Sequence, residues 1–386
     1  MRVLVAPDSF GGALDSVAVA EAIAAGWRAA RPEDGVVTAP MADGGEGTLA
    51  AVAHALGERA ERRSAMVHDP LGRMVQADWL LLDAGATALI EMAAASGLAR
   101  MAKGERTPAN ARIASTRGTG ELLHAALAEG VSLVVLGLGG SATTDGGAGM
   151  LSALGMQFLD VNGEELSPGG AELGRLASMD DSALDPQLAE CELVIASDVT
   201  SPLTGPAGAA AVYSPQKGAD VDAVAELDAG LGVLGALIGA KFGRPVTDLR
   251  GAGSAGGTGV ALLVYTKAEI RSGFEVVAEL VGLTAAIGKA DLVITGEGRA
   301  DEQTLAGKTA MGVAKLAEEA GVPAVLLCGG LGPGSELLET EGLFDAVQPI
   351  PDRPMALADA MADTERLLIN AAERLARVIG LGQRLA

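Results

Sequence analysis

Residues 137–149 hold six glycines in thirteen positions, directly after the apolar run Leu133-Val134-Val135-Leu136. Glycine has no Cβ, so the backbone can take positive φ and turn successive N–H groups toward one anion. Ser141, Thr143 and Thr144 add hydroxyl donors, and Asp145 adds an anion suited to a cation or a donor-rich ligand. A strand that feeds such a loop at a helix start is a place to hold phosphate. The plainer reading is a tight turn in an Ala/Gly-rich chain.

Acids stand on loops at four other strand-like ends: Asp8, the Asp43-Gly44-Gly45-Glu46 turn, Asp198, and Gly296-Glu297-Gly298 with Asp301 just beyond. Singly, each reads as a helix cap or a solvated side chain. Together they occupy the position where open parallel sheets bind ligands, the carboxyl ends of strands. A convergent acid cluster needs positive charge beside it. Mg²⁺ carried by a nucleotide supplies it, because it prefers oxygen ligands and binds through few carboxylates plus phosphates. Transfer of a phosphoryl group to a hydroxyl then needs one carboxylate base, the metal and donors around the γ-phosphate.

Three other patterns bear on the chemistry. Gly307-Lys308-Thr309 ends like a phosphate-binding P-loop, but Glu302 stands where that motif requires glycine. Lys308 still offers a point charge to phosphate. Gly137-Leu138-Gly139-Gly140-Ser141-Ala142 fits a dinucleotide fingerprint, with Asp160 eighteen residues on, and so keeps open a nicotinamide-dependent dehydrogenase of hydroxy acids. Against it, Gly146, Gly147 and Gly149 interrupt the helix that should follow. His54, His68 and His124, the three histidines of the chain, lack metal or triad spacing, which leaves carboxylates as proton acceptors.

The elements that must position these groups alternate. Residues 2–6 read as a buried strand stopped by Pro7, and Ser16 as the cap of a helix to about Arg31. Residues 36–40 read as a second strand and 49–56 as a second helix. From about Ala65 short apolar runs joined by turns read as an antiparallel meander. Further strands are expected at 133–136, 156–160 and 193–196, with a helix over 220–242 and another opened by the glycine-rich residues 251–259. Strands at 292–295, 324–327 and 346–347 alternate with helices, the last over 356–379. The three late and two early strands predict a five-stranded parallel sheet built from both chain ends.

Composition narrows the classes. The 386 residues exceed one ordinary core, 49% are hydrophobic but 2% aromatic, and the 54 glycines have no three-residue period. That suits alternating helices and buried strands, and excludes collagen and low-complexity disorder. A net charge of −22 repels phosphodiesters and anionic lipid, so no nucleic-acid and no membrane partner is expected. Cys191 and Cys328 stand alone, as in a reducing compartment, and Met1-Arg2 leads straight into a strand, so a cytoplasmic protein is expected.

Five stretches taken together resemble the bacterial class I glycerate kinases: Ala6-Pro7-Asp8-Ser9-Phe10, residues 40–48, residues 137–149, Pro215-Gln216-Lys217-Gly218-Ala219, and residues 291–303 with Gly307-Lys308. The resemblance runs in order from about residue 1 to 380. It implies ATP- and Mg²⁺-dependent phosphorylation of D-glycerate, generally to 2-phosphoglycerate. It also implies an α/β fold: a flavodoxin/Rossmann-like parallel-sheet domain from residues 1–63 and 287–386, an inserted mixed α/β domain at 64–286, and an active site in the cleft between them. Two positions depart from the family pattern: Gly11 stands where Lys is usual, and Thr144 where Asn is usual.

Residue type and strand-end position then suggest roles. Gly139, Gly140, Ser141 and Thr143 would cradle the ATP phosphates, with Lys308 in support. Glu297, Asp301 and Glu46 would hold Mg²⁺, with Asp43 the other choice in place of Glu46. Asp198, with Asp8 second, would take the proton of the glycerate hydroxyl, and Ser9, Asp43 and Lys217 would meet the substrate. The partners expected are glycerate and ATP, with self-association left open. A dehydrogenase, or a carboxylate-binding relative without activity, remains the alternative.

Overall fold

The computed structural model describes residues 1–305, 309–340 and 344–385. In chain order the strands are β1 (Arg2–Val5), β2 (Gly35–Thr38), β3 (Glu61–His68), β4 (Met74–Leu82), β5 (Thr87–Glu91), β6 (Leu133–Gly137), β7 (Gln157–Leu159) and β8 (Ser178–Asp180). There follow β9 (Glu192–Ala196), β10 (Glu269–Arg271), β11 (Leu292–Glu297), β12 (Ala324–Cys328) and β13 (Ala346–Pro349). The chain forms two compact units. One comprises Met1–Asp43, Ala50–Gly57 and the chain from Phe274 onward; the other comprises Gly44–Leu49 and Glu58–Gly273. The sequence places these boundaries at 63/64 and 286/287.

The first unit carries the five-stranded parallel sheet expected from both chain ends, in the order β13-β12-β11-β1-β2. Its inner strands β1, β11 and β12 are short, apolar and largely buried, as strands covered on both faces must be, while the edge strands β2 and β13 are partly exposed. Val3, Val5, Ile294 and Leu327 are buried against Val19, Ile23 and Trp27 of the helix Ser16–Ala30, and against Leu367, Leu368 and Ala371 of the helix Thr364–Leu385. The cap of the first helix is Asp15 and not Ser16: the Asp15 carboxylate accepts from the Ala18 amide at 2.8 Å, leaving Ser16 as the first helical residue. The expected single C-terminal helix is two, Leu357–Ala362 and Thr364–Leu385, parted at Asp363.

The second unit carries a six-stranded mixed sheet, β10-β9-β6-β5-β4-β3. The β3-β4-β5 portion is the expected antiparallel meander, and β5, β6, β9 and β10 run parallel. Register brings Glu91, Gly137 and Ala196 level at the carboxyl edge of β5, β6 and β9, with Arg271 beside Ala196 on β10. The strand expected at 156–160 does not join this sheet. It forms β7, which pairs antiparallel with β8 in a separate two-stranded sheet.

The helix Val221–Phe242 is long and apolar enough to span a membrane by length and composition. Here Leu227, Leu231, Leu234 and Ile238 lie in the core of the second unit, so its apolar stripe is explained by packing.

Candidate active site

In the second unit the site grows from the carboxyl edge of the sheet. β6 ends at Gly137, and helix resumes only at Ala148, which frees residues 138–147 as a loop. The segment after the helix Met92–Ser96 holds its near side: the Leu98 amide donates to the Gly140 carbonyl at 2.8 Å, and the Ala142 amide to the Ser96 carbonyl at 2.9 Å. Gly139 and Gly140 stay partly or fully open to solvent, whereas Thr143, Thr144 and Asp145 are buried.

Asp145 faces inward. Its carboxylate accepts from the Thr116 amide at 2.8 Å, the Thr116 hydroxyl at 2.9 Å, and the Gly147 and Gly149 amides at 3.2 Å each. Burial raises its pKa, and these donors oppose the rise. The acid read as a possible ligand contact is therefore the internal fastening of the loop, saturated by donors of its own chain. Behind it lies the second glycine-rich stretch. The Gly146 amide donates to the Gly256 carbonyl at 3.0 Å, and a Cβ on Gly256 would come within 2.0 Å of the Thr143 carbonyl oxygen, so residues 251–259 serve as backing.

Lys217 enters the loop from the turn Pro215–Lys217. Its ammonium is 2% exposed and donates to Ser141 Oγ at 3.0 Å and to the Thr143 carbonyl at 2.6 Å. Burial pushes its pKa down to about 7, with the Asp145 charge opposing. The turn is fastened by the Thr144 hydroxyl, 2.9 Å from Ser214 Oγ. The Thr143 hydroxyl is buried with no hydrogen-bond partner among the described residues. Orphan polar atoms of this kind are rare and point to a missing acceptor.

Residues Gly44–Leu49 lie across the same edge. A Cβ on Gly137 would come within 2.2 Å of the Gly44 carbonyl oxygen, and one on Gly139 within 2.4 Å of Gly45 Cα, so only glycine permits this approach. Glu46, exposed, sits in this turn. Glu91, which ends β5, lies outside the acids expected at the site. It is 7% exposed, and its Oε1 accepts from the Leu49 amide at 2.6 Å. Burial pushes its pKa up to about 7; the amides of Leu49, Gly47 and Thr48 oppose this, while the Glu46 charge adds to it. Its signal was an acid ending an apolar strand, the same signal as at Asp8, but with helix and not glycine after it. Asp198, exposed, follows β9 on the loop that begins at Ser197, whose amide donates to the Arg271 carbonyl at 3.0 Å.

In the first unit the strand-end acids also gather. The Asp8 amide donates to the Gly296 carbonyl and the Met41 amide to the Pro7 carbonyl, each at 2.8 Å, which places Asp8 between the ends of β11 and β2. Burial raises the Asp8 pKa; the nearby Thr309 hydroxyl and the Ser9 amide, 2.6 Å from Oδ1, lower it, and the Asp43 charge raises it further. Glu297 ends β11 and accepts from Thr304 Oγ1 at 2.6 Å. Asp301 accepts from the Gln303 amide at 2.9 Å and pairs with Arg299 at 3.1 Å. Lys308 lies outside the described residues.

Among the described residues no three His, Cys, Asp or Glu side chains gather as a self-sufficient metal site. The donors at the strand ends are all carboxylates, which suits a hard cation that keeps water and phosphate oxygens as its other ligands. The dinucleotide reading fails on geometry. The helix that follows the loop, Ala148–Ala153, has only six residues, too short for the crossover helix of that motif, and Asp160 is taken by the Asn162 and Glu164 amides and by Arg175. Each histidine has a side-chain partner, His54 with Thr38, His68 with Glu121 and His124 with Asp185.

Two sheet-centred units, one built from both chain ends and one with a glycine loop and a buried ammonium at its carboxyl edge, define an α/β protein of open-sheet architecture. The chain belongs to the glycerate kinase family, whose model matches residues 3–380. It is 43% identical over 376 residues to a glycerate kinase of Halalkalibacterium halodurans, covering 97% of each chain. It is 40% identical over 386 residues to the glycerate 2-kinase of Escherichia coli, covering 100% of each. The crystal structure of a protein described as glycerate kinase 2 from Salmonella typhimurium LT2 matches with a TM-score of 0.85 at 40% identity, over 100% of this chain and 99% of that one.

Proposed function

We propose that this chain transfers the γ-phosphate of ATP to the 2-hydroxyl of D-glycerate, giving 2-phosphoglycerate and ADP, as a cytoplasmic enzyme acting on small molecules. The observation that carries the reading is the loop at the end of β6. There the Lys217 ammonium lies on Ser141 and Thr143, the Thr143 hydroxyl has no partner among the described residues, and Gly139 and Gly140 present open backbone. Gly139, Gly140, Ser141 and Thr143 receive the phosphates, and Lys217 supplies the positive charge that a chain of net charge −22 otherwise withholds. With a pKa near 7, Lys217 takes up a proton most readily when an anion is beside it.

Asp198 accepts the hydroxyl proton as the glycerate oxygen bonds to the γ-phosphorus and the bond to the β,γ-bridging oxygen breaks, releasing ADP. Asp8 is the second choice of base. Ser9, Asp43 and Lys217 contact the substrate, and Lys308 adds charge. Glu297, Asp301 and Glu46 are the residues that would hold Mg²⁺, which when bound supplies neutralisation of the phosphate oxygens.

The reading is tested by Asp198→Asn. Turnover of D-glycerate should fall by about 10²- to 10⁴-fold while ATP binding stays within a factor of about three. Turnover close to wild type removes Asp198 from the role of base.

A further inference from the structure

The acid at Glu91 does work that no local residue requires of it. As the last residue of β5 it stands at the start of the helix Met92–Ser96, yet its side chain makes no cap there. It turns instead to residues 47–49, and its Oε1 accepts from the Leu49 amide at the start of the helix Thr48–Leu56. A Ser, Thr or Asp within that segment would cap the helix without burying a carboxylate. Thr48 is such a residue, and its hydroxyl donates to the Gly45 carbonyl at 2.8 Å, closing the turn from inside. The turn so fixed is the one whose Gly44 and Gly45 press on Gly137 and Gly139, at the root of the loop that receives the phosphates in the reading above. With backbone contacts this close, a shift of about an ångström in residues 44–47 must displace the loop as well.

We propose that Glu91 is a positioning residue for phosphoryl transfer: its side-chain oxygen, without touching either substrate, holds the Gly44–Leu49 turn against the root of the 138–147 loop. The proposal rests on the phosphoryl-transfer reading. It predicts that the loss of an acceptor oxygen at this place is felt in the chemical step, and that an uncharged acceptor of the same length suffices.

The experiment compares wild type, Glu91→Gln, Glu91→Asp and Glu91→Ala for kcat and KM with D-glycerate and MgATP, normalised to folded protein, together with amide hydrogen exchange at Leu49. Glu91→Gln should keep kcat within about threefold and keep Leu49 protected. Glu91→Ala should lower kcat at least about tenfold, with KM for ATP changed less than about threefold, and lose Leu49 protection. Glu91→Asp, one methylene short, should fall between the two, and it carries the test if the alanine variant does not fold. The proposal is overturned if Glu91→Ala or Glu91→Asp turns over like wild type, or if Glu91→Gln is as impaired as Glu91→Ala, since charge and not position would then matter. A wild-type protein that does not phosphorylate glycerate refutes the underlying reading instead, and exchange at Leu49 still decides whether Glu91 holds the turn.

Discussion

The ammonium of Lys217 donates to the hydroxyl of Ser141 at 3.0 Å, from a turn 76 residues further along the chain. That bond joins the two motifs through which the loop at the end of β6 becomes an anion seat. It is made inside the protein, where a lysine charge is costly to keep.

That cost predicts a pH dependence. The folded pKa of Lys217 is lowered from 10.5 to about 7, so between these values the unfolded chain binds a proton that the folded chain does not. Stability from this group is complete above 10.5 and is lost as pH falls through 7. Compared with Lys217→Met in urea denaturation, the wild type should gain about 2 kcal/mol between pH 7 and pH 9. The same variant should bind MgATP more weakly. An unchanged stability difference across that range means the lysine is charged when folded.

Glu91 shows the opposite sign. Its folded pKa is raised from 4.5 to about 7, so the folded chain keeps a proton that the unfolded chain has released. The contribution is complete below 4.5 and is lost as pH rises through 7. Stability of the wild type relative to Glu91→Gln should therefore fall by about 2.5 kcal/mol from pH 5 to pH 8. A flat difference shows the carboxylate to be less buried than its 7% exposure indicates.

Gly11 is exposed, with a backbone that a side chain can adopt, and a Cβ there meets nothing within 4 Å. Gly11→Lys should leave stability within about 0.5 kcal/mol, as surface substitutions do. Its added cation should lower KM for an anionic substrate severalfold at low salt and less at high salt. A loss of stability, or a KM indifferent to salt, would argue against that role.

Much of the architecture was legible because the local signals were unambiguous. The apolar run before Pro7 marked the end of β1, whereas β11 runs on through Gly296 to Glu297, and the both-ends sheet followed from the number and spacing of such runs. The site was legible only in part. Asp145 and Glu91 are both acids near strand ends, yet one is the inner fastening of its loop and the other reaches forty-two residues back to Leu49. Nothing in residue type says which way a carboxylate turns; tertiary packing decides it. The glycine run at 251–259 opens a helix as expected, but its role as backing for the first loop was not legible, because close backbone approach and anion binding call for the same residue. Ser16 and Asp15 are equally good caps in sequence, and one residue of register chose between them.

The most direct measurement is ³¹P NMR of the purified protein with D-glycerate, ATP and Mg²⁺. The γ-phosphate signal of ATP should be replaced by those of ADP and 2-phosphoglycerate, with no change when NAD(P) is added. ATP left intact in the presence of glycerate, or glycerate consumed only with NAD(P), would contradict it.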